Sequence, residues 1–378
     1  MAIKRTDSVT ITRVAALAGV STATAGRVLG GYGYSSEDIR DRVQEAAREL
    51  GYRPNRLARG LITGRTQTIG VVAGDISSDF YATAMRGIAD VARREGFGAI
   101  LTNSDEKLDL EREAVQLLRE KQVDGLIVSP CDRGESLHLR EAVAAGCPVV
   151  QVDRVAAGLA ADSVTVDNRS AARECVQKLL AAGHHRIAFI AELQSSHGHD
   201  LARFAADWAE NRQPASPQEL DPSWQRLLGY LEAHRDAGVP VDLGLVRRVG
   251  AYSVEAAKDH VLELLVRRQH NGVTALFTSD GVMSTGAMRA ISALGLSIPG
   301  DLSLVCFDDL DWMGFVSGGI TTVVQPVHRM GTMAAEFLLA RIAGDTSDFR
   351  HVVLPAQLAE RASIAPPADA RGGATDSR

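Results

Sequence analysis

The spacing of apolar and polar positions changes character near residue 68. Beyond it, "TIGVVAGD" is an unbroken apolar run closed by an acid, and "FYATAMRGIADVARREGF" follows with apolar residues at helical spacing. "GAILTNS", a helix over about 109–121, "VDGLIVSP", a helix over about 134–145 and "PVVQVD" continue the alternation. It restarts at "SVTVDN" and runs through "SAARECVQKLLAAGH", "RIAFIAE", "WQRLLGYLEAHRDAG", "LVRRVGAY", "VEAAKDHVLELLVRR", "ALFTSD", "STGAMRAISALG" and "LSLVCFDD". Strands alternating with helices imply parallel βαβ units, and this length fits two consecutive doubly wound sheets better than one very wide sheet. Two such lobes leave a cleft at the carboxyl ends of their strands, where small ligands bind. Several strands end there in Asp75, Ser129, Asp153, Asp280 and Asp308. Such residues serve a ligand or cap the next helix, and the pattern leaves both open.

Before residue 68 the pattern is of short helices. Thr10 can cap a first helix over about 11–18, carrying Val14, Ala15 and Ala18, and Gly19 makes the tight turn. Ser21 can cap a second helix over about 22–29, whose Ala25, Val28 and Leu29 face the first. The small Ala15 and Ala25 let the two helices cross closely, which is a helix-turn-helix arrangement. Thr22, Ala23, Gly26 and Arg27 are left pointing outward, a thin surface with one cation able to meet a guanine edge or a phosphate. An ordinary helical hairpin has the same spacing. Ser36 then caps a third helix, "EDIRDRVQEAARELG", with Ile39, Val43, Ala46, Ala47 and Leu50 on one face.

Charge sharpens this division. Residues 1–66 hold 11 Lys and Arg against 6 Asp and Glu, while the remainder holds 30 against 41. A basic head on an acidic body points to a polyanion partner for the head alone. The 378 residues are 45% hydrophobic, as in a globular protein of two or three domains, and no apolar run is long enough to span a membrane. "MAIKRTDSVTITRV" has no apolar core of a signal peptide, and Cys131, Cys147, Cys175 and Cys306 form no C-x-x-C pair. Reduced thiols in a cytoplasmic protein are the expectation. The stretch 193–223 is long for a connection between a strand and its helix and reads as a partly helical insertion. Its His197 and His199 lack further ligands at metal-binding spacing, so no metal is expected there. The tail over 365–378 is expected to be disordered.

The order and spacing of these motifs resemble those of the lactose/galactose repressor (LacI/GalR) family of transcriptional regulators. "VTITRVAALAGVSTATAGRVLGG", "RVQEAARELGYRPNRLARGL" and "GRTQTIGVV" carry the likeness, and "VDGLIVSP", "GHHRIAFI", "LFTSDGVMSTGAMRAISALGLSIPGDLSLVCFDD", "TTVVQPVHRMGTMAAEFLLARI" and "VVLPAQLAERAS" extend it over nearly the whole chain. The resemblance implies an all-α helix-turn-helix headpiece over 1–53, a hinge helix and linker over 54–66, and an effector-binding and dimerisation domain over 67–364. That last domain would be α/β and like a periplasmic binding protein, with three crossings between two doubly wound parallel-sheet lobes. Lobe 1 would hold about 67–166 and 325–343, and lobe 2 about 167–324 and 350–364.

By the same resemblance, Thr10, Ser21, Thr22, Ala23, Thr24, Gly26 and Arg27 face operator DNA. The segment "RPNRLARGL" would form a hinge helix that orders only on DNA and enters the minor groove paired with that of a second subunit. Pro54 can start that helix. Arg56 and Arg59 can reach phosphates, Asn55 and Ala58 match positions near the groove, and Leu61 is an apolar wedge able to open a base step. The chain departs from the family at Arg13, where Asp is usual, at Ala25 and Gly26, where Val and Ser are usual, and at Gly30, where Asn is usual. A glycine inside a helix costs about 0.5–1 kcal/mol relative to alanine. It also removes a hydroxyl that could touch DNA.

For the cleft, the resemblance places Phe80 and Tyr81 as stacking groups, Arg154, Arg226 and Asp308 as charged hydrogen-bonding groups, and Tyr252 as a packing group from the second lobe. Ser279 and Asp280 fall on another contact position, and Trp312 on a lid or stacking face. Aromatic faces with a few charged groups suit a sugar, and nucleobases are held the same way. Asp79 replaces a usual Pro at the pocket mouth. The implied molecule is a sequence-specific DNA-binding transcriptional regulator, expected to act as a repressor, without a cofactor. It would be a homodimer or larger assembly reading a near-palindromic operator under control of a sugar-like effector. The competing readings are a cryptic enzyme or a cytoplasmic ligand-binding protein on the same fold, and a transporter's solute-binding protein. G-x-S-x-G, G-x-x-x-x-G-K-[ST], H-E-x-x-H and an intact G-x-G-x-x-G do not occur. The missing leader and the basic headpiece argue against the transporter protein.

Overall fold

The computed structural model describes residues 9–30, 33–52, 65–193, 200–210, 212 and 220–367. The chain divides into a small N-terminal unit and a large unit.

In the small unit, α1 (Ile11–Ala18), α2 (Thr22–Gly30) and α3 (Glu37–Glu49) close on Val14, Ala15, Ala18, Ala25, Val43, Ala46 and Ala47. Gly19 takes φ 66° and its amide, with that of Val20, reaches back to the α1 carbonyls. That left-handed turn is open to glycine at no steric cost, so it ends α1 sharply. Ser21 Oγ accepts from the Thr24 amide at 3.1 Å and Ser36 Oγ from the Ile39 amide at 3.5 Å, as helix caps do. Thr10 stands at the cap position of α1 without a side-chain cap bond. Its hydroxyl lies at the exposed front of the helix instead.

The large unit contains two six-stranded sheets. The first is built from β1 (Thr68–Ala73), β2 (Gly98–Asn103), β3 (Gly125–Val128), β4 (Val149–Val152), β5 (Asp162–Val166) and β11 (His351–Leu354), in the order β11-β5-β4-β3-β1-β2. The second is built from β6 (Ile187–Ala191), β7 (Val246–Arg248), β8 (Ala275–Thr278), β9 (Ser303–Phe307), β10 (Thr321–Val324) and β12 (Gln357–Ala359), in the order β12-β10-β9-β8-β6-β7. β1–β3, β3–β4, β4–β5 and β5–β11 pair in parallel, as do β6–β7, β6–β8, β8–β9 and β9–β10, while β12 runs antiparallel to β10. The inner strands are almost wholly buried because both faces are covered, whereas the edge strands β2, β7, β11 and β12 are partly exposed. Along β6, Ile187, Phe189 and Ala191 enter one core with Trp224 and Tyr230, while Ala188 and Ile190 enter the core on the opposite face.

Helices over Asp79–Arg94 (α4), Leu108–Glu120 (α5) and Leu137–Ala144 (α6) belong to the first lobe, and Asn168–Ala181 (α7), Leu201–Ala209 (α8), Pro222–Asp236 (α9), Val254–Val266 (α10), Arg268–Asn271 (α11) and Gly281–Ala293 (α12) to the second. The chain returns to the first lobe with α13 (Val327–Ile342). It therefore crosses between lobes three times, after β5, after β10 and between β11 and β12. α4 and α13 approach so closely that a Cβ at Gly331 would stand 2.0 Å from the Ala84 carbonyl oxygen, and one at Gly87 2.2 Å from that of His328.

Two expectations need correction. Residues 350–364 do not lie in lobe 2 as a block, because His351–Leu354 pairs with β5 in the first sheet. The tail is not loose from 365, because the Ala365 carbonyl accepts from His184 Nε2 at 2.8 Å and its amide donates to Ser303 Oγ at 3.1 Å. The helix expected from about 134 begins at Leu137, after a loop in which Asp132 accepts the amides of Gly134 and Glu135. The insertion supplies α8, whose Phe204 packs on Trp224 with ring centroids 4.9 Å apart. Residues 368–378 of the tail and His197 and His199 lie outside the described residues.

Candidate functional site

On the headpiece, Ser21, Thr22, Ala23 and Arg27 are exposed, and Thr24 and Gly26 are half-buried. Ser21, Thr24 and Arg27 recur every three residues and form a polar row along α2. Ser21 Oγ and Thr24 Oγ1 are 2.9 Å apart, and Arg27 Nη2 donates to Thr24 Oγ1 at 3.5 Å. Thr10 is also exposed, and so is Arg13. No acidic residue falls in the first turn of α1 or α2. The face therefore presents hydroxyls, a methyl and a guanidinium, which suits phosphate and base edges. The hinge residues Asn55, Arg56, Ala58, Arg59 and Leu61 lie outside the described residues.

In the large unit, residues just beyond the carboxyl ends of nine strands converge on one cavity between the lobes. Phe80 and Tyr81 open α4 after β1, Glu106 follows β2, Cys131 follows β3, and Asp153 and Arg154 follow β4. From the other lobe come Glu192 after β6, Tyr252 after β7, Asp280 after β8, Asp308 after β9 and Gln325 after β10, with Asp221 and Arg226 from α9. A second space of about 590 Å³ adjoins this one and shares Ser78, Phe80, Tyr252, Asp308 and Gln325 with it. Glu106, Asp153 and Asp308 hold left-handed backbones, with φ of 56°, 68° and 72°. Non-glycine residues rarely sit there, and such strain gathers at ligand sites.

The charged groups are tightly interlinked. Arg154 pairs with Glu106, and its Nε lies 3.8 Å from Asp153. The Tyr81 hydroxyl donates to Glu106 at 3.1 Å and lies 3.0 Å from Ser129 Oγ. Arg226, nearly fully buried, donates from Nε to Asn168 at 2.9 Å and from Nη1 to the Ser279 carbonyl at 2.5 Å, and lies 3.8 Å above the Phe307 ring. Asp280 accepts the Val282 and Met283 amides on one oxygen and the Ser279 hydroxyl on the other, which makes it the cap of α12. Asp308 accepts the Gly281 amide at 3.0 Å and Gln325 Nε2 at 2.5 Å. Burial pushes Asp153 up to about 6, against the pull of Arg154 and Arg226, and Glu192 up to about 7, against the pull of Arg154. Burial also raises Asp280, and holds the phenols of Tyr81 and Tyr252 well above their ordinary value.

Of the nine residues expected at the cleft, Phe80, Tyr81, Arg154, Arg226, Tyr252, Asp280 and Asp308 line it. Ser279 is fully buried behind Asp280, and Trp312 packs on the core formed around Leu304 and Met313, so neither lines the cavity. Reading the sequence missed Glu106, Glu192, Asp221 and Gln325. Glu106 stands three residues past β2 and Glu192 one past β6, so a search for acids just beyond strand ends would have found both. Among the described residues no cluster of three or more His, Cys, Asp or Glu is arranged to hold a metal ion, and no helix is long and apolar enough to cross a membrane.

Comparison with known proteins bears on both regions. A profile described as "Bacterial regulatory proteins, lacI family" matches residues 10–55, and one described as "Periplasmic binding protein-like domain" matches 176–364. The catabolite control protein A of Priestia megaterium is 33% identical over 94% of this chain and 99% of its own. The HTH-type transcriptional regulator PtxS of Pseudomonas putida is 31% identical over 95% of this chain and 97% of its own. Among solved structures, a complex of the transcriptional regulator CelR with cellobiose covers 94% of this chain and all of its own (100%) at 29% identity and a TM-score of 0.65. The Lac repressor dimer bound to operator shares the fold, with a TM-score of 0.77 over 95% of this chain and 100% of its own at 23% identity.

Proposed function

The chain belongs to the lacI family of bacterial regulatory proteins, and from that premise we propose that it is a repressor whose hold on operator DNA is set by a small molecule in the interlobe cleft. The observation that carries the reading is the presence in one chain of a headpiece with an acid-free, hydroxyl-rich α2 face and a two-lobed unit whose strand ends converge on one cavity. Thr10, Ser21, Thr22, Ala23, Thr24, Gly26 and Arg27 would meet the major groove, and Asn55, Arg56, Ala58, Arg59 and Leu61 the minor groove. Phe80, Tyr81, Arg154, Arg226, Tyr252, Asp280 and Asp308 would surround the effector. Its sugar-like character is supported by the cellobiose complex of CelR and by a family structure from Enterococcus faecium with bound ribose.

The working unit is a homodimer in the cytoplasm, reading two half-sites. The domain division is a headpiece to about 53, a hinge to 66, and a body whose lobes exchange the chain three times. A ligand that touches both lobes changes their angle at those crossings, and its affinity is then reciprocally coupled to that of the operator. The cleft is read as binding without catalysis: Arg154 is engaged by Glu106 and Asp280 by helix amides, and the relatives are named as regulators.

Binding of purified protein to DNA flanking its own gene, across a salt series, tests this. Tight binding to one near-palindromic site, falling steeply with salt and weakened by Leu61→Ala, is expected. Weak binding that ignores sequence would overturn the repressor reading.

A further inference from the structure

The cleft is charged in one direction. Six carboxyl groups line it against two guanidinium groups. The two cations are already committed, Arg226 to Asn168, the Ser279 carbonyl and the face of Phe307, and Arg154 to Glu106. Asp280 and Asp308 are likewise engaged by the amides at the start of α12. Glu192 is different, because its carboxyl makes no hydrogen bond or ion pair among the described residues. Asp153 has only the 3.8 Å approach of Arg154.

A neutral group shows the same deficit independently. Gln325, 9% exposed, donates its amide nitrogen to Asp308, which fixes the orientation of the amide. Its Oε1 is then a buried acceptor with no donor among the described residues. Buried acceptors are ordinarily satisfied, so an empty one on a cavity wall marks where a ligand donor belongs. The cavity is thus rich in acceptors and negative charge, and the donors it leaves free among the described residues are neutral, the hydroxyls of Ser78, Ser223 and Tyr252. A sugar acid or sugar phosphate would place like charge against Glu192 and Asp153, which is how a site rejects a ligand. A neutral sugar supplies donors and leaves the charge standing. An ammonium group supplies three donors and the balancing charge together.

We propose that the effector is a small hydroxylated amine, of the amino-sugar class, whose ammonium group answers the carboxyls of Glu192 and Asp153 and whose hydroxyls serve Gln325 Oε1. This rests on the reading of the cleft as the effector site. It carries a consequence for protons. Glu192 is faced by Arg154, Asp280, Glu106 and Asp221, and Asp153 by Arg154, Arg226, Glu106 and Asp308. Burial keeps both groups partly protonated near neutrality when the cleft is empty, so a cation entering it releases protons.

The test is titration calorimetry on the full-length protein with matched sets: glucosamine, glucose and glucuronate, then the galactose and mannose counterparts. In at least one set the amine binds about tenfold or more tighter than the neutral sugar, the acid does not bind, and heats measured in two buffers of different ionisation enthalpy reveal proton release. Glu192→Gln lowers the amine's affinity about tenfold and brings it close to that of the neutral sugar. Asp153→Asn serves as the second variant, because asparagine tolerates the left-handed backbone at that position. A neutral sugar or an acid binding best would overturn the charge assignment and leave the cleft as an effector site. Amine binding indifferent to both variants would overturn the placement. Binding by no member of any set would overturn the proposal together with the sugar-like effector reading.

Discussion

Among the described residues, the headpiece closes its three helices on seven buried side chains, all Val or Ala, whereas the second lobe alone buries Trp224, Tyr230, Phe189, Phe277 and Phe307. The contrast extends to charge. Residues 1–66 carry an excess of cations and the rest an excess of anions. Small cores suit a unit whose work is done by an exposed row of side chains, because thin helices cross closely and one face stays free for DNA. The body does the reverse. Its strained and charged residues point inward to a cavity, and only a heavily packed scaffold can hold six carboxyl groups there. On the proposed reading, DNA meets the surface of one unit and the effector the interior of the other, so substitutions should separate the two.

The largest effect is expected in the body at Asp162. It is fully buried and paired with Arg341 and Arg350, so Asp162→Asn removes the buried carboxylate the two guanidiniums share and leaves them only the more exposed Asp345. The loss should be about 3–5 kcal/mol, read by urea unfolding, with little change in the headpiece's intrinsic DNA contacts. Its partners hold Asp162 down at about 2, although burial alone would raise it. A depressed carboxyl stabilises the fold above its unfolded value near 4, and that contribution disappears as pH falls from 4 towards 2. Next is Gly331→Ala, whose Cβ would collide with the Ala84 carbonyl and push α4 and α13 apart. A loss of about 1–3 kcal/mol is expected by the same measurement.

In the headpiece, Arg27→Ala should weaken operator binding by about 1–3 kcal/mol. The Tm of the body should not move, and unchanged binding would break the assignment of α2 as the reading helix. A pH series sharpens the body's side of the comparison. Asp153 and Glu192 have raised values in the folded state, so they favour the fold at low pH. That advantage is lost as pH rises from about 4 through 6 and 7. Without ligand, the wild type should lose Tm over that interval relative to the double variant Asp153→Asn/Glu192→Gln. Parallel curves would show that the two groups do not feel the cleft. The smallest effect is expected from Ser21→Ala, which removes the cap of α2 and costs about 1 kcal/mol, visible as weaker DNA binding alone.

Local periodicity made most of the fold legible. β6 and β8 are apolar runs of parallel-sheet type, and α2 is framed by Gly19, Ser21 and a stripe holding Ala25. The aromatics and arginines that line the cavity were legible through the order of motifs. What could not be read locally was long-range. β11 is four residues whose partner, β5, lies almost two hundred positions earlier, and nothing in "HVVL" favours one sheet over the other. Glu106 and Glu192 carried a local signal, an acid just beyond a strand end, but only the facing of the two sheets' carboxyl ends makes them pocket residues. Ser279 and Trp312 sit close to the cavity in sequence terms, yet their side chains pack behind it.

The path of the chain also sets an order of synthesis. β1 to β5 leave the ribosome before any of the second lobe, yet their sheet still lacks α13 and β11 until residue 354 has been made. The first lobe is begun early and finished last. From the completion of β5 at Val166 until β11 begins at His351, the sheet is open with an unpaired β5 edge, and such a nascent edge is exposed to mispairing. A stop codon placed between 325 and 350 would leave the headpiece helices intact and the first sheet incomplete.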